Sequence, residues 1–154
     1  MQSIIEKRLK ELEIDIDFSF SPVGSYIPCL EIDKLIYLSG ILPIKDGVLM
    51  HKGKIGDDLS IEETIQCTRQ IIANGLNILK NHLGNLDEIH RCVKVMGYIA
   101  VRDDFYDHPK VMNYCSSLLI DIFGESGRHV RSVIGVSSLP LNSPILIDFI
   151  FQRK

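Results

Sequence analysis

The sequence predicts a single α+β domain, a β-sheet with two long helices, about enough to cover one face, and an N-terminal helix in front. Three observations carry this. Ser60 and Glu63 open a stretch in which Ile61, Ile65, Ile72, Leu76, Leu79 and Leu83 return at helical spacing. A second helical stretch begins at Pro109. Most of the remaining apolar residues fall in short runs bounded by turn residues, which read as strands. A length of 154 residues fits one domain over residues 1–154, with 1–13 as a helical extension.

Residues 2–13 set Ile4, Ile5, Leu9 and Leu12 among charges, the pattern of an amphipathic helix. Ser21-Pro22 and Gly24 interrupt regular structure. Residues 26–32 read as a strand, Asp33-Lys34 as a tight turn, and 35–42 as a second strand. Asp46-Gly47 is a hairpin signal that returns 48–51 on a neighbour. The Ser60/Glu63 capping box starts the first long helix and Gly84 ends it. Residues 85–91 read as one helical turn and 92–101 as a buried strand. The second long helix spans 109–123 and stops at Gly124. Residues 129–139 and 144–152 are the last strands, joined by a turn at 140–143.

A strand with one wet face alternates apolar and polar residues, and these mostly do not. Leu35, Tyr37 and Ile41 share one face of the second strand, with Ile36, Leu38 and Leu42 on the other. In the last strand Ile145, Ile147, Phe149 and Phe151 oppose Leu146 and Ile150. Two helices cover one face of a small sheet. The other is covered either by the first helix or by another copy of the chain.

Composition narrows the function. The formal net charge of −3 argues against a dedicated nucleic-acid binder, and 45% hydrophobic residues can build a core without disulfide or metal staples. Cys29, Cys67, Cys92 and Cys115 form no C-x-x-C pair, so they read as free thiols in a reducing compartment. Residues 1–10 lack the apolar core of a signal peptide, and no apolar run approaches the roughly 18 residues of a membrane span. The expected location is the cytoplasm. Neither a metal-ligand spacing nor a cofactor fingerprint appears; Gly53-Lys54-Ile55-Gly56 lacks the P-loop pattern and reads as a turn.

Arg131 stands out. It lies in the strand from residue 129, on the face it shares with His129, Val133 and Gly135. A guanidinium there needs a partner, either a structural carboxylate of the chain or a carboxylate ligand gripped by its planar fork. His129 shares that face as a candidate proton-transfer group or as a hydrogen-bond partner of a neighbouring loop. The other histidines show no catalytic spacing, and no serine sits in a G-x-S-x-G elbow.

Several segments resemble the RidA/YjgF family, also called the endoribonuclease L-PSP family. Ser21-Pro22-Val23-Gly24-Ser25-Tyr26-Ile27-Pro28 is similar to its P-V-G-N-Y-V-P segment, and Leu38-Ser39-Gly40-Ile41-Leu42-Pro43 to its L-S-G-Q-L-P strand. Val93-Lys94-Val95 with Asp104-Phe105 resembles V-K-V…D-F. The most specific match is Gly127-Arg128-His129-Val130-Arg131-Ser132-Val133-Ile134-Gly135-Val136, followed by Leu139-Pro140. It resembles the G-R-H-A-R-S-A-V-G-V…L-P block of one branch. The resemblance implies a chorismate-mutase-like α+β fold, a mixed β-sheet with the two long helices packed on one face, and a homotrimer with small-molecule clefts between subunits. It makes Arg131 the residue that holds the substrate carboxylate, with Tyr26, Ser39, Gly40 and Val133 lining the cleft and His129 and Asp148 as further catalytic candidates. Where the family often has a water-positioning Glu in the last strand, this chain has Leu146. The S-G-Q glutamine is Ile41 here.

The resemblance implies hydrolytic deamination of reactive enamine or imine intermediates of amino-acid metabolism to keto acids and ammonia, without a cofactor. The partners would be a 2-imino or 2-keto acid and the chain itself, with no nucleic acid and no membrane. The alternative, favoured by Leu146, is a non-catalytic carboxylate-binding or regulatory member. A ribonuclease or translation inhibitor fits the negative charge least.

Overall fold

In the computed structural model, residues 3–19, 21 and 24–154 are described. Helix α1 spans Ile4–Glu11. Strands β1 (Cys29–Ile32) and β2 (Leu35–Leu38) are followed by a small hairpin, β3 (Ile44–Lys45) and β4 (Val48–Leu49). Then come α2 (Ile61–Leu83), β5 (Ile89–Ala100), α3 (His108–Phe123), β6 (Val130–Val136) and β7 (Ile145–Arg153). The main sheet has the order β1-β2-β7-β5-β6. Its β5–β6 pair is parallel and the other three are antiparallel. Helices α2 and α3 pack together on one face, over Ile36, Val95, Ile99, Ile147 and Phe149, all buried. The sheet is therefore mixed, with both long helices on one side, as expected.

Local chemistry explains most boundaries. Ser60 accepts from the Glu63 N–H at 3.2 Å while Glu63 accepts from the Ser60 N–H at 2.7 Å, so the capping box opens α2. Gly84 closes it at φ 77°. Both hairpin turns use left-handed backbone, Asp33 and Lys34 at φ 47° and 68°, Asp46 and Gly47 at 51° and 76°. The first strand is shorter than its apolar pattern, starting at Cys29. Pro28 has no N–H for a ladder, and its carbonyl accepts from the Ser39 N–H at 2.9 Å.

The second strand also departs from strict alternation. Tyr37 pairs with Ile150, and pairing resumes at Ile41 with Ile147. The chain thus spends four steps against three on β7, a bulge at Ser39-Gly40. The extra residue turns Ile41, rather than Leu42, into the core; Ile41 is buried and faces Gly75. The turn after α2 is also shorter than expected, a 3-10 turn at Leu86–Glu88, so β5 begins at Ile89.

Helix α1 does not cover the second face of the sheet. It lies beside α3 and the Leu86–Glu88 turn, with Leu9 buried in the core. Asp87 holds its start: one carboxylate oxygen accepts from the Ser3 hydroxyl and the Ile5 N–H, and the other from the Ile4 N–H, all at 2.7–3.0 Å. The outer face therefore stays open in one chain. Leu30, Ile32, Tyr37, Val130 and Ile134 are 41–65% exposed there, beside Leu35, Leu146, Ile150, Met96 and Tyr98. Among the described residues no helix is long and apolar enough to cross a membrane.

Candidate functional site

Strand β6 forms an edge of the sheet, and Arg131 sits in it opposite Val95, a core residue. Its side chain therefore lies on the helix side, over α3. Nη1 donates to Asn113 Oδ1 at 3.2 Å and to Ser116 Oγ at 3.0 Å, and Nη2 donates to Asn113 Oδ1 at 3.2 Å. No carboxylate among the described residues forms an ion pair with Arg131. The guanidinium is held in place by neutral acceptors and keeps its charge unmatched. Its Nε–H has no acceptor among the described residues, so the fork retains donors for an anion.

His129 stands one pleat away on the same face. Its Nδ1 is 2.6 Å from the carbonyl oxygen of Gly127 and its Nε2 is 2.9 Å from Ser116 Oγ. A carbonyl only accepts, so Nδ1 carries a proton, and in the neutral ring Nε2 is the acceptor for the Ser116 hydroxyl. Ser116 then donates to His129 and accepts from Arg131. The result is a continuous chain from Gly127 through His129 and Ser116 to Arg131. Gly127 is required: a Cβ there would meet the Leu119 carbonyl oxygen at 2.2 Å. Its buried turn against α3 aims the carbonyl at His129.

The other residues lie on the far side of β5 from Arg131. A Cβ on Gly40 would be 2.8 Å from Leu146 Cδ2, so the missing side chain makes room for the leucine. Gly40, Leu146 and Tyr26 line a cleft of about 1030 Å3, with Leu42, Met50 and Arg69. Ser39 does not line it; its hydroxyl donates to the Ile27 carbonyl at 2.7 Å and pins the bulge. Asn74, buried in α2, shapes the wall by donating to the carbonyls of Leu42 and Ile44 at 3.2 and 3.0 Å. Arg69 donates to the Leu12 carbonyl and to the Tyr114 hydroxyl. Asp148, opposite Met96, shares the Leu146 face; burial pushes its carboxyl up and nearby Lys94 opposes that.

One chain therefore brings Arg131 and His129 together and, separately, Tyr26, Gly40 and Leu146. It does not unite the two groups, which strand β5 divides. Val133 packs against the core from the Arg131 side. Pro22 and Val23 of the P-V-G segment lie outside the described residues. Sequence reasoning missed Asn113 and Ser116. Their signal was a polar stripe at i, i+3 beside the buried Met112, Cys115 and Leu119 of α3.

Cys67, Cys92 and Cys115 are free and buried, and burial raises each thiol, Cys67 to about 11 and Cys92 to about 12. Thiols held this far from the thiolate are poor nucleophiles, so they add nothing to the site.

A mixed five-stranded sheet with two helices on one face, an open apolar outer face and an edge-strand arginine defines a chorismate-mutase-like α+β protein. The family described as "YjgF/chorismate_mutase-like, putative endoribonuclease" matches residues 6–153, and the chain belongs to it, the RidA/YjgF family. Protein TCP17 of Trypanosoma cruzi is 26% identical over 149 residues, which cover 96% of this chain and 93% of that protein. The crystal structure of Atu1372 from Agrobacterium tumefaciens is 33% identical with a TM-score of 0.86, covering 97% of this chain and 92% of the other. A Shewanella oneidensis MR-1 protein solved in the same fold is 28% identical with a TM-score of 0.91, covering 98% and 99%.

Proposed function

We propose that the protein hydrolyses reactive 2-imino acids, and the enamines in equilibrium with them, to 2-keto acids and ammonia. Arg131 holds the substrate carboxylate. The observation that carries this is the state of Arg131: half-buried, oriented by Asn113 and Ser116, and without a carboxylate partner among the described residues. An oriented but unmatched guanidinium suits a planar anion. Family membership supports the same chemistry. In this reading copies of the chain associate, as a trimer, through the open apolar face. The Arg131 side of one copy then meets the Tyr26, Gly40 and Leu146 cleft of the next. No cofactor takes part, and the reaction belongs to the cytoplasm.

The test generates 2-iminopropionate with an amino-acid oxidase and follows its decay by semicarbazide trapping. The parent protein accelerates the decay. Arg131→Lys keeps the charge but loses the planar fork, and it lowers kcat/KM by about tenfold or more, the loss of one good charge-assisted contact. Unaccelerated decay would refute the deaminase. Arg131→Lys turnover equal to the parent would refute the anchor.

A further inference from the structure

We infer that the cleft lined by Gly40 and Leu146 selects 2-imino acids with a large apolar side chain, and that Leu141 is the residue that reads that chain. The inference rests on the deaminase reading above and names the substrate class of the same site. The cleft measures about 1030 Å3. Pockets of roughly 300–1,000 Å3 hold drug-sized ligands, so a pyruvate-sized imino acid would leave most of this one empty.

The depth of the cleft is apolar. Leu42, Ile44, Met50 and Leu146 are half-buried in its wall, with Ala73 of α2 buried beside them. Glu13, Asp15, Lys45 and Asp46 also line it, but they are exposed and stand at the rim. The half-buried cation, Arg69, donates to the Leu12 carbonyl and the Tyr114 hydroxyl. Apolar surface removed from water favours binding against such a wall. A charged side chain would give up its hydration there.

Leu141 adds a second, independent observation. It lines the same cleft, is 56% exposed and takes no part in the hydrophobic core. Its backbone is left-handed, at φ 59° and ψ 18°. For a bulky residue that conformation is an outlier and costs free energy. The turn imposes it through three hydrogen bonds. The Asn142 N–H donates to the Leu139 carbonyl at 3.1 Å and the Ser143 N–H to the Pro140 carbonyl at 3.0 Å, while the Asn142 carbonyl accepts from the Gly53 N–H at 2.9 Å. Asn142, at φ 61°, is a residue type suited to such a turn. Leucine is not, and its side chain packs into no core in return. Strain held at a cleft wall by a leucine that the core does not use points to what that side chain touches from the cleft.

The experiment compares 4-methyl-2-oxopentanoate with pyruvate by calorimetry, and the imines of leucine and alanine, made by the same oxidase, in the turnover assay. The parent should bind the longer keto acid about tenfold more tightly or better, and favour its imine in kcat/KM by a similar factor, the discrimination that added methylenes give in an apolar pocket. Leu141→Asn suits the left-handed backbone and removes the apolar contact. It should keep the melting temperature and sedimentation of the parent while the preference for the longer keto acid falls about tenfold. Leu141→Met keeps an apolar chain and restores most of the preference. Equal affinity of the parent for both keto acids, a preference that survives in Leu141→Asn, or no rescue by methionine would each overturn the inference. So would a preference lost together with the melting temperature or the assembly, which would make Leu141 a structural or interface residue. If neither imine is turned over while the binding preference holds, the deaminase reading falls and the selectivity of the cleft stands.

Discussion

Asp148 is a carboxylate that burial disfavours. It sits half-buried on the open face, opposite Met96 and among Leu146 and Ile150. Burial raises its carboxyl above the usual 3.8 and Lys94 only partly offsets this. The folded state thus holds the proton more tightly than the unfolded chain. Asp148 favours folding as pH falls through the raised value, and above it the charged form is penalised. Asp148→Asn is expected to raise the melting temperature at pH 7 by about 2 °C, with the gain vanishing below pH 3.8, the unfolded value. A calorimetric pH series checks it, and a lowered melting temperature at pH 7 would refute it. Arg131, by contrast, was marked in the sequence because a guanidinium in an apolar strand demands a partner. That the partners are Asn113 and Ser116 was not legible, because residues 15–18 positions apart meet only when α3 crosses β6.

Helix α1 shows how much an element owes to a contact distant in sequence. Its eight residues are too few to be stable alone. Asp87, more than 80 positions away, accepts from two of its first N–H groups and from Ser3. Burial pushes the Asp87 carboxyl up, but the N–H groups of Ile5 and Ile4 and the Ser3 hydroxyl outweigh it and hold it below 3.8. A depressed carboxyl contributes stability that is present above pH 3.8 and is lost as pH falls through the lower folded value. Asp87→Ala is expected to cost about 1–2 kcal/mol, seen as faster amide exchange confined first to α1 and as a lower denaturant midpoint. Unchanged exchange in α1 would count against the cap. Lys80 ties the same region to α2, 3.4 Å from Glu6 and 2.8 Å from Asp17. The helical pattern of 2–13 was readable from its apolar spacing, but its docking on the helix side rather than on the open face was not.

At the scale of the whole molecule, the consequential feature is the outer sheet face. Tyr37 at 41% and Ile134 at 46% exposure stand on opposite sides of it, with Tyr98 and Ile150 between. So broad an apolar surface is rare on a monomer. Lysines at Tyr37 and Ile134 would each bury a charge in any assembly through this face. The double variant Tyr37→Lys/Ile134→Lys is expected to sediment as a monomer at micromolar concentration where the parent sediments as a trimer. A parent that is monomeric, or a variant that still assembles, would remove the proposed association.

Apolar spacing, caps and turns are local in the chain, so the sequence alone determined the α+β class, the two long helices and both tight turns, while the docking of α1 beside α3 decided that the second face stays open. The Arg131 block marked the family through the resemblance, which the family match over residues 6–153 then established. Tertiary structure decided what depends on which strands become neighbours. The Ser39-Gly40 bulge swapped Ile41 for Leu42 in the core, because one extra residue against β7 reverses the pleat. The sheet order set Arg131 and His129 on one face and Leu146 and Asp148 on the other, and α3 delivered Ser116 to the first pair. Side-chain chemistry is written residue by residue; distances across a sheet arise only when β7 and β5 pair between its edges.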